Sequence, residues 1–313
     1  MQNMTPSPYI NPYHLPGIPA DKTLLPAQLR RAKKELMAEF ELQEAAEIQI
    51  GKEKLGKSEV LAVFDALDDK DIRGFHKDLQ ERKSLLRFLE EGDTDIFLEK
   101  KHAELLADLE ANEAFKDFVT PFYCYQFNQL FLQAFKDKDE DQIRLLFAHP
   151  FWVKIKEQQA CYDGAYKQLN YEVENLKRLA DSIEHGNKSP GPEVQEVADE
   201  NWIHLLNSLP DPFDGLLNAY AKGLESLSLA LFNTYQRAKL AKFVLRQGMK
   251  LRINTETQGR LQYVLDQVLK ITPDDQFTLE DVQEAFERPK GGVKMWQWAL
   301  GGLVVYLLMK MIF

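Results

Sequence analysis

Cysteine is scarce in this chain, which has two among 313 residues, far apart in the sequence. Cys124 and Cys161 form no CxxC motif, and this argues against a disulfide framework and against the paired thiols of a zinc ribbon. Both lie in aromatic-rich sequence with helical spacing. We therefore expect two reduced thiols in a helical core, as suits a cytosolic compartment.

Basic residues are outnumbered, with 39 Lys and Arg against 49 Asp and Glu, and the formal net charge is −10. Contacts with phosphates require a concentrated positive face, so the balance argues against a general nucleic-acid-binding protein. We expect no nucleic acid among its partners. The first residues, MQNMTP, have neither the basic region nor the apolar segment of a signal peptide, which predicts that the bulk of the protein stays in the cytoplasm.

Short catalytic motifs are also missing from the sequence. It contains no P-loop, no GxGxxG after a predicted strand, no HExxH and no GxSxG, and its six histidines are scattered singly. A lone histidine is more often structural or exposed than a metal ligand. We predict a non-enzymatic protein without cofactor or metal. The alternative is a soluble helical enzyme, with a buried C-terminal helix, whose site assembles from distant residues.

A long apolar run occurs in one place, residues 295–313, directly after Arg288, Lys290 and Lys294. As a helix this segment would be about 30 Å long, the thickness of a hydrocarbon core. Lys310 lies near its end and can extend its ammonium to the far interface. We predict a tail-anchored, single-pass protein with its C-terminus across the bilayer and the rest on the cytoplasmic face. The anchor residues are Trp296, Trp298, Leu300, Leu303, Val304, Leu307 and Leu308.

Two other placements of this tail are open, because its uninterrupted apolar part, residues 298–309, is short. One is a terminal helix packed in the soluble core, and the other is a helix lying in the membrane plane. A helix that is apolar all round argues against the in-plane placement. Gly301 and Gly302 allow close helix approach without forming a GxxxG motif, so a homo-oligomer is left open as a further partner.

Apolar residues recur at three- and four-residue spacing along most of the chain, which predicts an all-α, multi-helix bundle. Residues 48–55 are the exception, since they alternate and turn at Gly51, and they predict a small β-hairpin. Phe127, Phe131 and Phe135 form a stripe at i, i+4 spacing, which is more typical of a core than of a ligand groove.

Breaks in the helical pattern suggest how the chain is organised. Residues 187–193 are rich in glycine and proline and are the clearest linker signal. We predict five parts: an N-terminal module at 1–92, an aromatic-rich helical domain at 93–186, the linker at 187–193, a C-terminal helical subdomain at 194–288, and a hinge with the membrane anchor at 289–313.

The first quarter of the chain resembles a J-domain, the co-chaperone module that stimulates heat-shock chaperone ATPases. INPYHLPGIPADKTLLPAQLRRAKKELMAEF is similar to its short first helix and basic second helix, and VLAVFDALDDKDIRGFHKDL to its third-helix pattern, with Arg73 and Phe75 matching. The family's His-Pro-Asp motif is replaced by Glu41-Leu42-Gln43. The resemblance therefore implies a J-like scaffold without ATPase stimulation. The alternative is a generic helical hairpin with a solvated basic face.

Together these features predict a membrane-tethered adaptor or chaperone-related factor that binds an unidentified protein partner. The candidate partner-binding residues are the cations of the basic helix, Arg30, Arg31, Lys33 and Lys34. A different class of function is also open: a membrane-acting effector whose apolar tail perturbs a bilayer.

Overall fold

A computed structural model describes residues 6–19, 24–43, 47–51, 53–149 and 151–272 of the chain. Helices make up most of these ranges, and the strands within them form one two-stranded antiparallel sheet. The prediction of an all-α protein with a small hairpin is confirmed to this extent. The chain forms two compact units. The first holds the described residues up to Asp137 together with Asp141–Ala165, and the second holds Lys138–Glu140 and the described residues from Tyr166 onward.

The first unit begins with an extended arm that contains one 3-10 turn, Pro12–His14. Asn11 caps this turn, because its side-chain oxygen accepts the Tyr13 N–H at 3.0 Å. The first helix starts with a proline, whose fixed φ suits a first-turn position. The elements that follow are α1 (Pro26–Gln43), β1 (Glu47–Ile50), β2 (Glu53–Gly56) and α2 (Lys57–Ala66).

The hairpin lies between α1 and α2, at the place that the alternating pattern predicts. Ile48 pairs with Leu55 across the two strands, and Gly51 adopts a positive φ of 59° in the turn. A positive φ is readily available to glycine, which has no Cβ to clash with the backbone. Leu55 and Ile50 are buried in the same apolar cluster as the inner faces of α1 and α2.

The rest of the first unit consists of helices, three of which pack on the aromatic-rich helix that begins at Glu113. Asp69 caps the helix that follows α2, because its side chain accepts the Asp71 N–H at 2.7 Å. Phe127, Phe131 and Phe135 are buried, so the predicted core stripe is confirmed. The helices are α3 (Lys70–Glu81), α4 (Lys83–Glu91), α5 (Glu99–Ala111), α6 (Glu113–Asp137), α7 (Glu140–Leu146) and α8 (Ile155–Glu184), of which α7 and α8 each have residues in both units.

The second unit contains α9 (Pro192–Val197), α10 (Glu200–Asn207), α11 (Asp214–Tyr235), α12 (Ala238–Met249) and α13 (Thr255–Ile271). The apolar pattern from 213 to 253 predicts one long helix, or two helices that meet near Gly223 or Gly248. The structure has two helices, and the break between them lies at Gln236, whose φ is a left-handed 54°. Gly223 instead remains inside α11, where an added Cβ would lie 2.8 Å from Leu176 Cδ2. Close packing against Leu176 therefore accounts for this glycine.

The predicted membrane anchor, residues 295–313, lies outside the described residues, as do residues 273–288 and the hinge. Among the helices that the structure describes, none combines the length and the apolar character needed to cross a bilayer. Residues 185–191 form the connection between α8 and α9 inside the second unit. The domain limits drawn from the sequence stay predictions.

Candidate functional site

Helix α1 has one buried face and one charged face. Its inner face carries apolar residues at helical spacing, and they belong to the core cluster of the first unit: Leu29, Ala32, Leu36 and Phe40. Because 3.6 residues complete a turn, burial of these positions leaves the intervening ones facing solvent. The four cations proposed from the sequence lie at such positions.

Two of these four cations form ion pairs with nearby carboxylates. Arg31 Nε donates to Glu35 Oε1 at 2.8 Å, and Lys33 Nζ donates to Asp65 Oδ1 of α2 at 2.6 Å. The Glu35 carboxylate raises the pKa of Arg31 through the hydrogen bond and its charge. Both pairs lie at the surface, so each contributes little to stability, but a carboxylate already neutralises each cation.

The other two cations lie on one exposed side of α1. Arg30 Nε donates to the Pro26 carbonyl of its own helix at 3.3 Å, and Lys34 makes no hydrogen bond or ion pair with any residue that the structure describes. They are four positions apart in the sequence, so they lie about one turn apart on the same face of the helix. We call this side of α1 the basic surface. Leu42, at the end of the helix, is 85% exposed and adds an apolar group.

The two residues that match the J-domain pattern after α2 have structural partners. Arg73 Nη1 donates to the carbonyls of Leu67 and Asp68 at 2.6 and 2.8 Å. It thereby satisfies acceptors that the end of α2 leaves open. Phe75 packs on Phe118 of α6 with ring centroids 5.3 Å apart. These contacts connect α3 to its neighbours on both sides.

A cleft of about 150 Å³ lies between the N-terminal arm, the hairpin turn and α4. Its acidic residues are Glu53, Glu90 and Glu91. Asn11 Nδ2 donates to Glu90 Oε1 at 2.6 Å, and His14 Nδ1 lies 3.7 Å from the same oxygen. The cleft was not found by sequence reasoning, because its residues come from segments far apart in the chain and share no motif.

A buried polar contact attaches the N-terminal arm to α3 of the same unit. The Tyr9 hydroxyl lies 3.0 Å from His76 Nδ1, and both side chains are buried among aromatic rings of α6. Burial lowers the pKa of His76 to about 4 and raises the pKa of Tyr9. At neutral pH the imidazole is therefore uncharged, and the pair acts as a hydrogen-bonded part of the core.

A pair of stacked histidines occurs where α5 meets the segment after α7. His102 and His149 stack with ring centroids 4.3 Å apart, and His149 Nε2 lies 2.9 Å from the Phe97 carbonyl oxygen. Burial, with a smaller effect of His149, lowers the pKa of His102. Within the described ranges, no group of three or more His, Cys, Asp or Glu side chains is arranged to hold a metal ion.

Comparison with known proteins gave no match to this chain among family models, curated proteins or solved structures.

Acidification should destabilise the first unit through His76. Its pKa is about 4 when folded and about 6.5 when unfolded, so the unfolded state binds the proton first as pH falls. The stability contributed by neutral His76 is complete above pH 6.5 and declines toward pH 4. We expect His76→Gln, which cannot titrate, to lose about 2 kcal/mol less than the parent between pH 7 and 4.5 in urea unfolding. Parallel pH profiles for the two proteins would contradict this assignment.

Proposed function

We propose that this protein is a non-enzymatic interaction adaptor or chaperone-related factor, held on the cytoplasmic face of a membrane by residues 295–313. In this proposal its N-terminal part is a J-like scaffold that does not stimulate ATPases. The basic surface of α1 binds an acidic segment of a protein partner, and the exposed Leu42 side chain adds an apolar contact.

The partner-binding part is supported by the difference between the four cations of α1. Arg31 and Lys33 are neutralised by carboxylates, whereas Arg30 and Lys34 are not paired with any described carboxylate. The whole chain has a net charge of −10, so this side of α1 runs against the general balance. Exposed charges of one sign steer partners of the opposite sign and set their orientation.

The membrane part is supported by the sequence of the tail. The apolar residues 298–309 are preceded by Trp296, and the cations Arg288, Lys290 and Lys294 lie just before it. Aromatic residues favour the interface, and flanking cations favour the cytoplasmic side. A tether at the end of the chain would keep both compact units in the cytoplasm and available to partners at the membrane surface.

Charge reversal on the basic surface should weaken partner binding. We expect Arg30→Glu with Lys34→Glu to lower the yield of a discrete cross-linked adduct about tenfold in isolated membranes, because two attractions become repulsions. The matched control is Lys70→Glu with Lys77→Glu, which changes the net charge equally on the exposed side of α3. Equal loss in both variants would show that total charge, rather than the α1 surface, governs binding.

Deleting the tail should release the protein from membranes. We expect the full-length chain to stay in the membrane pellet after an alkaline wash, because a spanning helix is held by apolar burial rather than by charge. A chain that ends at Lys294 should move to the supernatant. Recovery of the full-length chain in the soluble fraction without detergent would overturn the tether.

The absence of the His-Pro-Asp motif leads to a separate prediction about ATPase stimulation. We expect the protein, added at saturating concentration, to leave the ATPase rate of a heat-shock chaperone at its basal value. A J-domain that has the motif serves as the positive control in the same assay. Stimulation well above the basal rate would refute the proposed scaffold role, because the chain would then supply the activity through other residues.

A further inference from the structure

The two cysteines of the chain meet inside the first unit. Cys124 lies on α6 and Cys161 on α8, and their Sγ atoms are 3.1 Å apart although 37 positions separate them in sequence. Both are free thiols, and each is at most 1% exposed. The structure thus places the two predicted core thiols in direct contact, which their spacing in the sequence does not indicate.

Gly164, which has no side chain, allows the two helices to approach closely enough for this contact. Gly164 lies about one turn after Cys161 on α8, and its N–H donates to Asn128 Oδ1, one turn after Cys124 on α6, at 2.8 Å. A Cβ at Gly164 would lie 3.0 Å from that oxygen and 3.1 Å from Leu132 Cδ2. A larger side chain would therefore push α8 away from α6 beside the two thiols.

The hydrogen bonds of the thiols give them different roles. The Cys161 thiol donates to Cys124 Sγ, and the Cys124 thiol donates toward the Glu157 carbonyl at 3.7 Å. Cys124 is the acceptor within the pair, so the Cys161 S–H points at its sulfur, and we assign Cys124 as the sulfur that attacks first. Burial raises the pKa of Cys161, which keeps that thiol protonated until it reacts.

We propose that Cys124 and Cys161 form a reversible intramolecular disulfide when the protein meets hydrogen peroxide. The Cys124 sulfur attacks one peroxide oxygen, the O–O bond breaks, and the sulfur becomes a sulfenic acid while the other oxygen leaves as water. The Cys161 sulfur then attacks the sulfenic sulfur. The S–S bond forms, the S–O bond breaks, and the hydroxyl leaves as water with the Cys161 proton. Two thiols lose two electrons, and peroxide is reduced to water.

The bond would link α6 to α8 around the aromatic residues between them. Trp152 packs on Tyr123 with ring centroids 4.5 Å apart, and Phe147 packs on Phe127 at 5.4 Å. Closing this loop reduces the freedom of the unfolded chain. Oxidation would thus stabilise the first unit against unfolding, independently of the proposed adaptor function, and a dithiol reductant would reverse it.

The test uses the reduced full-length chain in detergent, treated with hydrogen peroxide. We expect the intact mass to fall by about 2 Da, a peptide map to join the segments that contain positions 124 and 161, and dithiothreitol to restore the mass. The thermal midpoint of the oxidised form should rise by roughly 5 °C. Gain of about 16 or 32 Da at separate cysteines, or a disulfide between two copies, would overturn the proposal.

Matched variants test the part played by helix contact. Gly164→Val should slow formation of the internal disulfide about tenfold, because the added side chain separates the helices. Gly74→Val is the control, since a Cβ at Gly74 meets nothing within 4 Å. Equal rates for Gly164→Val and the parent would contradict the role of this contact. If Gly164→Val does not fold, Cys124→Ser and Cys161→Ser still decide, because either one should abolish the loss of about 2 Da.

Discussion

Burial of α6 is the constraint on which the first unit depends. Its fully buried phenylalanines each favour the folded state by roughly 2–3 kcal/mol through apolar burial, and they are Phe115, Phe127, Phe131 and Phe135. Helices α3, α4 and α5 all pack on this helix. The N-terminal arm reaches it as well, since Tyr9 packs edge-on against Phe122 with ring centroids 5.3 Å apart. The thiol pair, the aromatic residues after α7 and the buried histidine of α3 all contact the same helix.

Burial of one helix face also explains why the basic surface of α1 is exposed. Residues of α1 that face the core determine, through the 3.6-residue period, which residues face solvent. Local carboxylates then decide which cations are neutralised, and Glu35 and Asp65 bind Arg31 and Lys33 but leave Arg30 and Lys34. In the second unit the carboxylate of an ion pair is buried instead of exposed. Glu225 is shielded from water, and Arg260 Nε donates to its Oε1 at 2.8 Å.

Much of the local structure was predictable because short-range rules act there. Proline at the start of α1, alternation through the hairpin and the aromatic stripe of α6 each combine residues close in sequence. The break between α11 and α12 was not predictable in this way. Gln236 adopts a left-handed conformation that neither glycine nor proline marks, whereas Gly223 is needed for packing rather than for a turn. Tertiary packing decides between such positions, and the sequence pattern alone does not.

By itself the sequence determined the helical class, the hairpin, the burial of the aromatic stripe and the absence of short catalytic motifs. These properties depend on periodicity and residue type within a few turns of chain. The tertiary structure alone decided which cations of α1 pair with a carboxylate, where the cleft beside Glu90 forms and that Cys124 touches Cys161. Such features join segments far apart in sequence, and their contacts arise only after the helices pack, because residue spacing along the chain contains no record of which helix faces meet.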